Sequence, residues 1–158
     1  GSGAISIALA CQDPNFKLTA VDISTPALQV AQANAQALEV DNQITFLESD
    51  LFQEVTGKYN VICSNPPYIR RDDLSKLIPE VGLEPVKALD GGPDGLDFYR
   101  RILNQAALFL EQPGFIVLEI GWDQGAAVRS LGEKADFTWL ETTVDYSGKD
   151  RVVVFKWE

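Results

Sequence analysis

Short apolar segments typical of buried strands alternate with helical segments along most of the chain, and this alternation limits the possible folds more than any other feature. The predicted strands are residues 18–22, 44–47, 59–63, 115–120, 137–146 and 151–157. The predicted helices are residues 4–10, 27–38, 96–110 and 124–134. Pro113 and Gly114 predict a turn before the strand at 115–120. A second turn at residues 147–150 joins the last two strands as a hairpin. This order predicts an α/β fold with a mostly parallel sheet, helices on both of its faces and a C-terminal antiparallel hairpin.

Length and composition indicate one globular domain, residues 1–158, because the chain shows no linker, repeat or low-complexity tract. Apolar residues make up 46% and charged residues 23%, and no apolar run approaches the roughly 18 residues of a membrane span. The chain has 13 Lys and Arg against 23 Asp and Glu, a net charge of −10. Since such a charge repels phosphate backbones, we expect neither a membrane nor a nucleic acid as direct partner.

Histidine is absent from the sequence, which excludes Ser-His triads, histidine general bases and histidine-ligated metal sites. We therefore predict no metal site. Cys11 and Cys63 lie in unrelated contexts and, with no signal peptide visible, are typical of reduced thiols in a cytoplasmic protein.

Apolar spacing also predicts which side chains pack in the interior. Cys63 is expected in the core, and the three tryptophans are expected to be packing residues. The same reasoning gives the helix at 27–38 one buried face, made of Leu28, Ala31, Ala35 and Leu38.

The first candidate binding feature is a glycine turn followed by an acidic residue. Gly1, Ser2 and Gly3 open the first helix, and Asp22 follows 19 positions after Gly3 at the end of a strand. Glycines let a ligand approach the backbone, and an acid in this place accepts hydrogen bonds from ribose hydroxyls. Two other interpretations remain open: the opening tripeptide is a remnant of cloning, and Asp22 caps the turn at Ser24.

A second candidate feature closes the strand at residues 44–47. Ligands of open α/β sheets bind at the carboxyl ends of the strands, and Asp50 follows such an end. Its carboxylate would accept a hydrogen bond from an adenine amino group, with Leu51 or Phe52 against the ring. The alternative is an ordinary turn acid followed by two core residues.

The third feature carries the most information, because two consecutive prolines follow the buried strand at residues 59–63. Prolines fix the backbone and remove two N–H donors, so the Asn65 side-chain oxygen and the Pro66 carbonyl remain as acceptors. Tyr68 adds a flat aromatic face. Acceptors without competing donors suit a planar –NH₂ group, whereas a rigid turn alone explains the prolines but not the flanking Asn and Tyr. We therefore predict that a planar nitrogen is held by Asn65, Pro66, Pro67 and Tyr68.

These motifs resemble the class I S-adenosylmethionine-dependent methyltransferases that act on planar nitrogens. The likeness lies in residues 1–5, 21–23, 49–52 and 64–69. Residues 84–85, 88–96, 118–121 and 148–151 further resemble the HemK/PrmC family, the protein-(glutamine-N5) methyltransferases of peptide chain release factors. The similarity covers essentially the whole chain.

The resemblance implies a fold, an activity and two sets of site residues. The fold is a Rossmann-like class I methyltransferase sheet, and residues 1–158 are its S-adenosylmethionine-dependent catalytic domain. The activity is methyl transfer from S-adenosylmethionine to a glutamine side-chain amide of a release factor. The implied catalytic residues are Asn65, Pro66, Pro67 and Tyr68. The implied cofactor-binding residues are Gly1, Ser2, Gly3, Asp22, Ile23, Asp50, Leu51, Phe52 and Asn65.

The chain departs from the family pattern at its start. The family carries a strand, an acidic residue and a glycine just before the position of Gly1, and also a helical N-terminal domain. The family strand order, 3-2-1-4-5-7-6, puts that first strand between those ending near Asp22 and Ser64. Because the loss of this strand would leave the edges of two buried strands unpaired, we expect further residues upstream of Gly1. The lack of any methionine supports the same expectation.

Four alternatives stay open at this stage. The corner motif is shared with adenine-N6 nucleic-acid methyltransferases, against which the net charge of −10 and the lack of a basic stripe count. A lysine-directed relative and a non-catalytic nucleotide-binding fragment also fit the motifs. A dehydrogenase fits worst, since hydride transfer needs no such corner.

Overall fold

The computed structural model describes residues 1–76 and 88–158. Its internal contacts divide the chain into two compact units, an amino-terminal unit, Gly1–Gly57, and a carboxyl-terminal unit, Lys58–Glu158. Each unit has its own sheet, and the two are described in turn.

The amino-terminal unit is a two-stranded parallel sheet with two helices. Its elements are α1 (Ala4–Gln12), β1 (Leu18–Asp22), α2 (Thr25–Ala37), a 3₁₀ helix (Asp41–Gln43) and β2 (Ile44–Glu48). The sequence dictates where α2 starts, since the Ser24 side chain accepts a hydrogen bond from the Ala27 backbone and Pro26 occupies the first turn. In the parallel register Asp22 is level with Glu48, so both strands end at the same edge.

A small apolar cluster joins these elements. Its buried members are Ile7, Ala10, Ala35, Val40 and Ile44, with Leu18, Ala20 and Phe46 packed against them. The predicted buried face of α2 is correct for Ala31 and Ala35 and wrong for Leu38, which is 57% exposed. The helix ends at Ala37, so Leu38 no longer follows the helical spacing that placed it on that face.

The carboxyl-terminal unit contains a four-stranded mixed sheet with the order β3-β4-β6-β5. Its strands are β3 (Tyr59–Ser64), β4 (Leu110–Glu119), β5 (Thr138–Val144) and β6 (Asp150–Trp157). Among its described residues, the α-helices are α3 (Asp97–Ala106) and α4 (Gly125–Lys134), and 3₁₀ helices lie at Arg71–Lys76 and Ala107–Phe109. β3 is parallel to β4, whereas β6 is antiparallel to both β4 and β5.

The core of this unit lies between α3, α4 and the sheet. Its largest fully buried side chains are Tyr99, Phe155, Ile102, Leu103, Leu110, Ile116, Leu118, Ile120, Val128 and Val153. Gly132 on α4 is required by this packing, since a Cβ at that position would lie 2.2 Å from the Phe155 ring.

Four local predictions are wrong in this unit. The helix predicted at 96–110 ends at Ala106, and β4 begins at Leu110, so the turn predicted at Pro113 lies within a strand. The pairing of β3 with β4 accommodates Pro113 by a register shift, with Tyr59 opposite Leu110 and Val61 opposite Phe115. Trp122, predicted to be a packing residue, is 61% exposed. Cys63, predicted in the core, is also exposed.

The α/β fold class is confirmed. The C-terminal hairpin forms as predicted, with its turn closed by hydrogen bonds from Asp145 N to Lys149 O (2.8 Å) and from Gly148 N to Asp145 O (2.9 Å). Because the family's first strand is absent here, β1 and β2 correspond to its strands 2 and 3, and β3 to β6 correspond to its strands 4 to 7. The pair β1-β2 and the series β3-β4-β6-β5 therefore match the parts 3-2 and 4-5-7-6 of the predicted order. Within residues 1–76 and 88–158, no helix has the length and apolar character needed to cross a membrane.

Candidate functional site

The predicted glycine turn is present at the start of α1. Gly3 caps the helix in the left-handed region (φ +81°), and a Cβ there would lie 2.9 Å from the Ala31 Cβ of α2. The position therefore requires glycine for its conformation and for close helix packing. Asn34 of α2 also holds the turn, because its side-chain amide donates a hydrogen bond to Ser2 O (3.0 Å).

Asp22 lies beside this turn at the end of β1. One carboxylate oxygen accepts a hydrogen bond from Ser24 N (2.8 Å), so the capping role left open by the sequence is real. The other oxygen contacts the Gly1 amino nitrogen. The structure thus brings the glycine turn and Asp22 together within the amino-terminal unit, and the capping bond uses only one oxygen of the carboxylate.

A pocket of about 340 Å³ opens at the carboxyl ends of β1 and β2. We call it the acidic pocket, and its lining residues are Ile23, Glu48, Ser49, Asp50, Gln53 and Glu54. Ile23 and Asp50 were predicted as site residues; Leu51 and Phe52, also predicted, are half-buried but do not line the pocket. Glu48, Gln53 and Glu54 were missed, although Glu48 already stood at the end of a predicted strand.

Ser49 shapes the wall of the acidic pocket. It is a buried polar residue whose hydroxyl donates to Leu51 O (3.0 Å) and accepts from Glu54 N (3.0 Å). Leu51 has a positive φ of +53°, so the chain reverses sharply after the strand. This turn places Asp50 and Glu54 around one opening.

The chemistry of the acidic pocket restricts its ligand. None of its lining residues is Lys or Arg, and Lys17 is the sole basic side chain among residues 1–57. Carboxylates accept hydrogen bonds from hydroxyl and amino groups and favour a cation, whereas a pyrophosphate would be repelled. The pocket therefore suits a ligand that donates hydrogen bonds and carries a positive rather than a negative charge.

In the carboxyl-terminal unit, residues 65–68 follow β3 as an irregular segment that we call the acceptor corner. Asn65 is exposed, Pro66 is buried, and Pro67 and Tyr68 are half-buried. The two prolines fix φ and supply no N–H, so no backbone donor competes with the Asn65 side chain and the Pro66 carbonyl there. That these four residues hold a planar nitrogen stays a prediction.

Residues 88–96 pack directly against the acceptor corner. Ile69 N donates to Leu89 O (3.0 Å), Gly91 N donates to Ile69 O (2.8 Å), and Arg71 N donates to Gly92 O (2.9 Å). A Cβ on Gly91 would lie 2.9 Å from Pro67 O, so the two backbones touch there. Residues 88–96, which carry part of the resemblance to the HemK/PrmC family, thus contact the motif at 64–69. Residues 84–85, which carry another part, lie outside the described residues.

Ion pairs hold residues 90–97 in place. A hydrogen bond from Gly92 N (2.9 Å) and another from the Arg71 guanidinium (3.0 Å) lower the pKa of Asp90. Arg100 lowers the pKa of Asp94 to about 2 through hydrogen bonds to its carboxylate. Both carboxylates are therefore charged at neutral pH. They help to fix residues 88–96, which we call the covering segment because it packs against the acceptor corner.

Sequence reasoning missed Gln124, one of the most buried polar residues in the described chain at 4% exposure. Its side chain contacts the acceptor corner, residue 95 and the end of β4. The only available signal was its place three residues after the motif at 118–121, and a single glutamine at the start of a predicted helix predicts no role.

Solved structures match this fold over nearly its whole length. A methyltransferase from Pyrococcus furiosus superposes with a TM-score of 0.71 at 17% identity, over 97% of this chain and 68% of that one. The crystal structure of SMU.776 complexed with SAH gives a TM-score of 0.63 at 17% identity, over 99% and 43% of the two chains. The fold is therefore that of the class I methyltransferases.

The chain belongs to the methyltransferase small domain family, whose model matches residues 1–81. Among curated relatives, the release factor glutamine methyltransferase of Bacillus subtilis (strain 168) is 44% identical over 97% of this chain. That of Moorella thermoacetica is 44% identical over 96% of this chain. In both cases the match covers 54% of the relative, so the chain spans about half the length of these proteins. The resemblance read from the motifs is confirmed.

Proposed function

We propose that this chain carries the catalytic domain of an enzyme that methylates the side-chain amide nitrogen of a glutamine in a peptide chain release factor. The observation that carries the proposal is the acceptor corner, which offers two hydrogen-bond acceptors on a fixed backbone and no competing donor. The names of the 39–44% identical relatives support the same acceptor.

S-adenosylmethionine is the proposed cofactor, and its sulfonium supplies an electrophilic methyl group when it is bound. The residues that would hold it are the backbone of Gly1 and Gly3, the carboxylate of Asp22, and the acidic pocket with Ile23 and Asp50. A cationic nucleoside fits this set of acceptors, because no basic residue lines the pocket to repel its positive charge. The predicted set also keeps residues that shape the turns beside the cofactor. Ser2 belongs to the glycine turn before α1, and Leu51 and Phe52 belong to the turn after β2.

The acceptor corner orients the substrate nitrogen. A glutamine amide is a weak nucleophile, because its lone pair is delocalised into the carbonyl. In the proposed complex its two N–H bonds donate to Asn65 Oδ1 and the Pro66 carbonyl oxygen, which fixes the direction of the lone pair. These hydrogen bonds strengthen as the nitrogen becomes positive, so they stabilise the transition state more than the ground state.

No strong general base is required by this scheme. The N-methylated amide cation is very acidic and loses its proton readily to water, which agrees with the absence of histidine. Pro67 keeps the bend rigid, and Tyr68 offers a flat face to the planar amide. We further propose that residues 1–158 act as one domain, that the release factor is a direct protein partner, and that the reaction takes place in the cytoplasm.

Transfer of a labelled methyl group tests the acceptor directly. The full-length protein is incubated with labelled S-adenosylmethionine and, in separate reactions, a release factor, the same factor with its target Gln replaced by Ala, and duplex DNA. We expect label in the first reaction alone. Label in duplex DNA would establish the adenine alternative, and equal label in both release factors would disprove glutamine as acceptor.

Replacing Asp22 by Asn is expected to weaken binding of S-adenosylmethionine about tenfold, because a neutral acceptor replaces a charged one and the two kinds of hydrogen bond differ by about 1–1.5 kcal/mol. The new amide oxygen still accepts from Ser24 N, so the turn is kept. Isothermal titration calorimetry measures the change, with Asp41→Asn as control because Asp41 is exposed in the 3₁₀ helix away from the pocket. Equal affinities of both variants would remove Asp22 from the site.

A further inference from the structure

We propose that Gln124 is a positioning residue for methyl transfer, which holds the acceptor corner in its reactive geometry through the Tyr68 carbonyl. This inference rests on the proposed function and adds to it a residue with no predicted role. It is carried by the contacts of one buried side chain with four separate segments of the carboxyl-terminal unit.

Both ends of the Gln124 amide are occupied. Its Nε2 donates to Tyr68 O (3.0 Å), the last residue of the acceptor corner, and to Gly95 O (3.2 Å) in the segment that covers the corner. Its Oε1 accepts from Gly121 N (2.9 Å), and the Tyr99 hydroxyl oxygen lies 3.4 Å from it. One side chain thus joins the corner to the covering segment, to the end of β4 and to α3.

The orientation of this amide follows from its partners. Backbone carbonyls only accept and backbone N–H groups only donate, so Nε2 must face Tyr68 and Gly95 while Oε1 faces Gly121. No other side chain of this length supplies two donors on one branch and an acceptor on the other. Glutamic acid has the same shape but would place an oxygen against two carbonyl oxygens.

The base of the Gln124 side chain is also fixed. Gln124 N donates to Gly121 O (2.9 Å), and Gln124 O accepts from Val128 N (2.9 Å), so the residue caps α4 directly after β4. The Tyr99 hydroxyl that touches its amide also donates to Glu119 O (2.9 Å). The anchor is therefore part of the rigid core, while the corner it holds lies at the sheet edge. Because Gln124 is fixed in the core, its hydrogen bond to the Tyr68 carbonyl holds the acceptor corner in a defined position.

The test is Gln124→Met, which keeps the length of the side chain and removes both donors. We expect kcat for methylation of the release factor to fall on the order of tenfold, because sub-ångström misplacement of reacting groups is costly. The KM for S-adenosylmethionine should stay unchanged. Hydrogen exchange at the amides of Ile69 and Gly91, which pair the corner with its covering segment, should become faster.

Gln105→Met is the matched control. Gln105 is partly buried and its Nε2 donates to Arg101 O (3.1 Å) within α3, away from the acceptor corner. We expect it to leave kcat and the two exchange rates unchanged. Tyr99→Phe is a milder second variant, which removes one contact to the amide and should lower kcat in the same direction by less.

A double variant separates positioning from general stability. If Gln124 acts through the corner, Gln124→Met should cost much less in an Asn65→Ala background than in the unaltered protein. Equal costs in both backgrounds, or a kcat equal to that of the Gln105 control, would overturn the inference. The unaltered protein is assayed first: its failure to methylate the release factor would refute the proposed function itself.

Discussion

Asn65→Ala is expected to lower kcat about 10²–10³-fold, the loss that follows removal of one preorganised hydrogen-bonding group at a reacting centre. The variant deletes one of two acceptors that grip the substrate amide and leaves the Pro66 carbonyl in place. Because the lost bond is strongest when the nitrogen carries positive charge, the effect falls on turnover. Affinity for S-adenosylmethionine should change by much less.

Asn60→Ala is the control for this variant, because Asn60 is also an exposed asparagine but lies within β3, five residues before Asn65. Steady-state kinetics with a release factor, together with calorimetry for the cofactor, measures both effects. A turnover near that of the unaltered protein would refute the role of Asn65. A loss confined to cofactor affinity would instead place Asn65 in binding alone.

The sequence allowed the strand ends to be predicted because local patterns determine them. Short β-branched or apolar segments followed by Asp22, Asp50 and Asn65 indicate strands that end in polar groups. In parallel sheets these ends share one edge, and the register of Asp22 with Glu48 bears this out for β1 and β2. The glycine turn was predictable for the same reason, since its left-handed Gly3 is a local requirement.

Other features depend on contacts that no local pattern contains. Gln124 lies 56 residues from Tyr68 along the chain, and only the folded structure brings its amide to that carbonyl. Trp122 is apolar enough to predict burial, but the loop after β4 leaves it exposed. The turn signal at Pro113 was overridden by pairing of β4 with β3, where a register shift accommodates it. In each case tertiary packing decided against the local preference.

Gly95 lies where the covering segment meets both the acceptor corner and Gln124. Its φ is +77°, and a Cβ there would lie 2.5 Å from Tyr68 O and 2.7 Å from Gln124 Nε2. Gly148 has nearly the same φ, +76°, but a Cβ there meets nothing within 4 Å. The two glycines therefore share the conformational cost of an alanine and differ in the clash, which makes them a matched pair.

Gly95→Ala is expected to lower kcat about 100-fold, because the new methyl group displaces the Tyr68 carbonyl from Gln124 and moves the corner with it. Both alanine variants should lose about 1–2 kcal/mol of folding free energy from the left-handed conformation. Gly95→Ala should lose about 1–3 kcal/mol more through overpacking. Thermal unfolding and steady-state kinetics, measured well below the lower Tm, separate the two effects. Equal kcat values for the two variants would mean that the covering segment does not set the geometry of the acceptor corner. The strained backbone that both alanines share would then explain the whole loss of kcat.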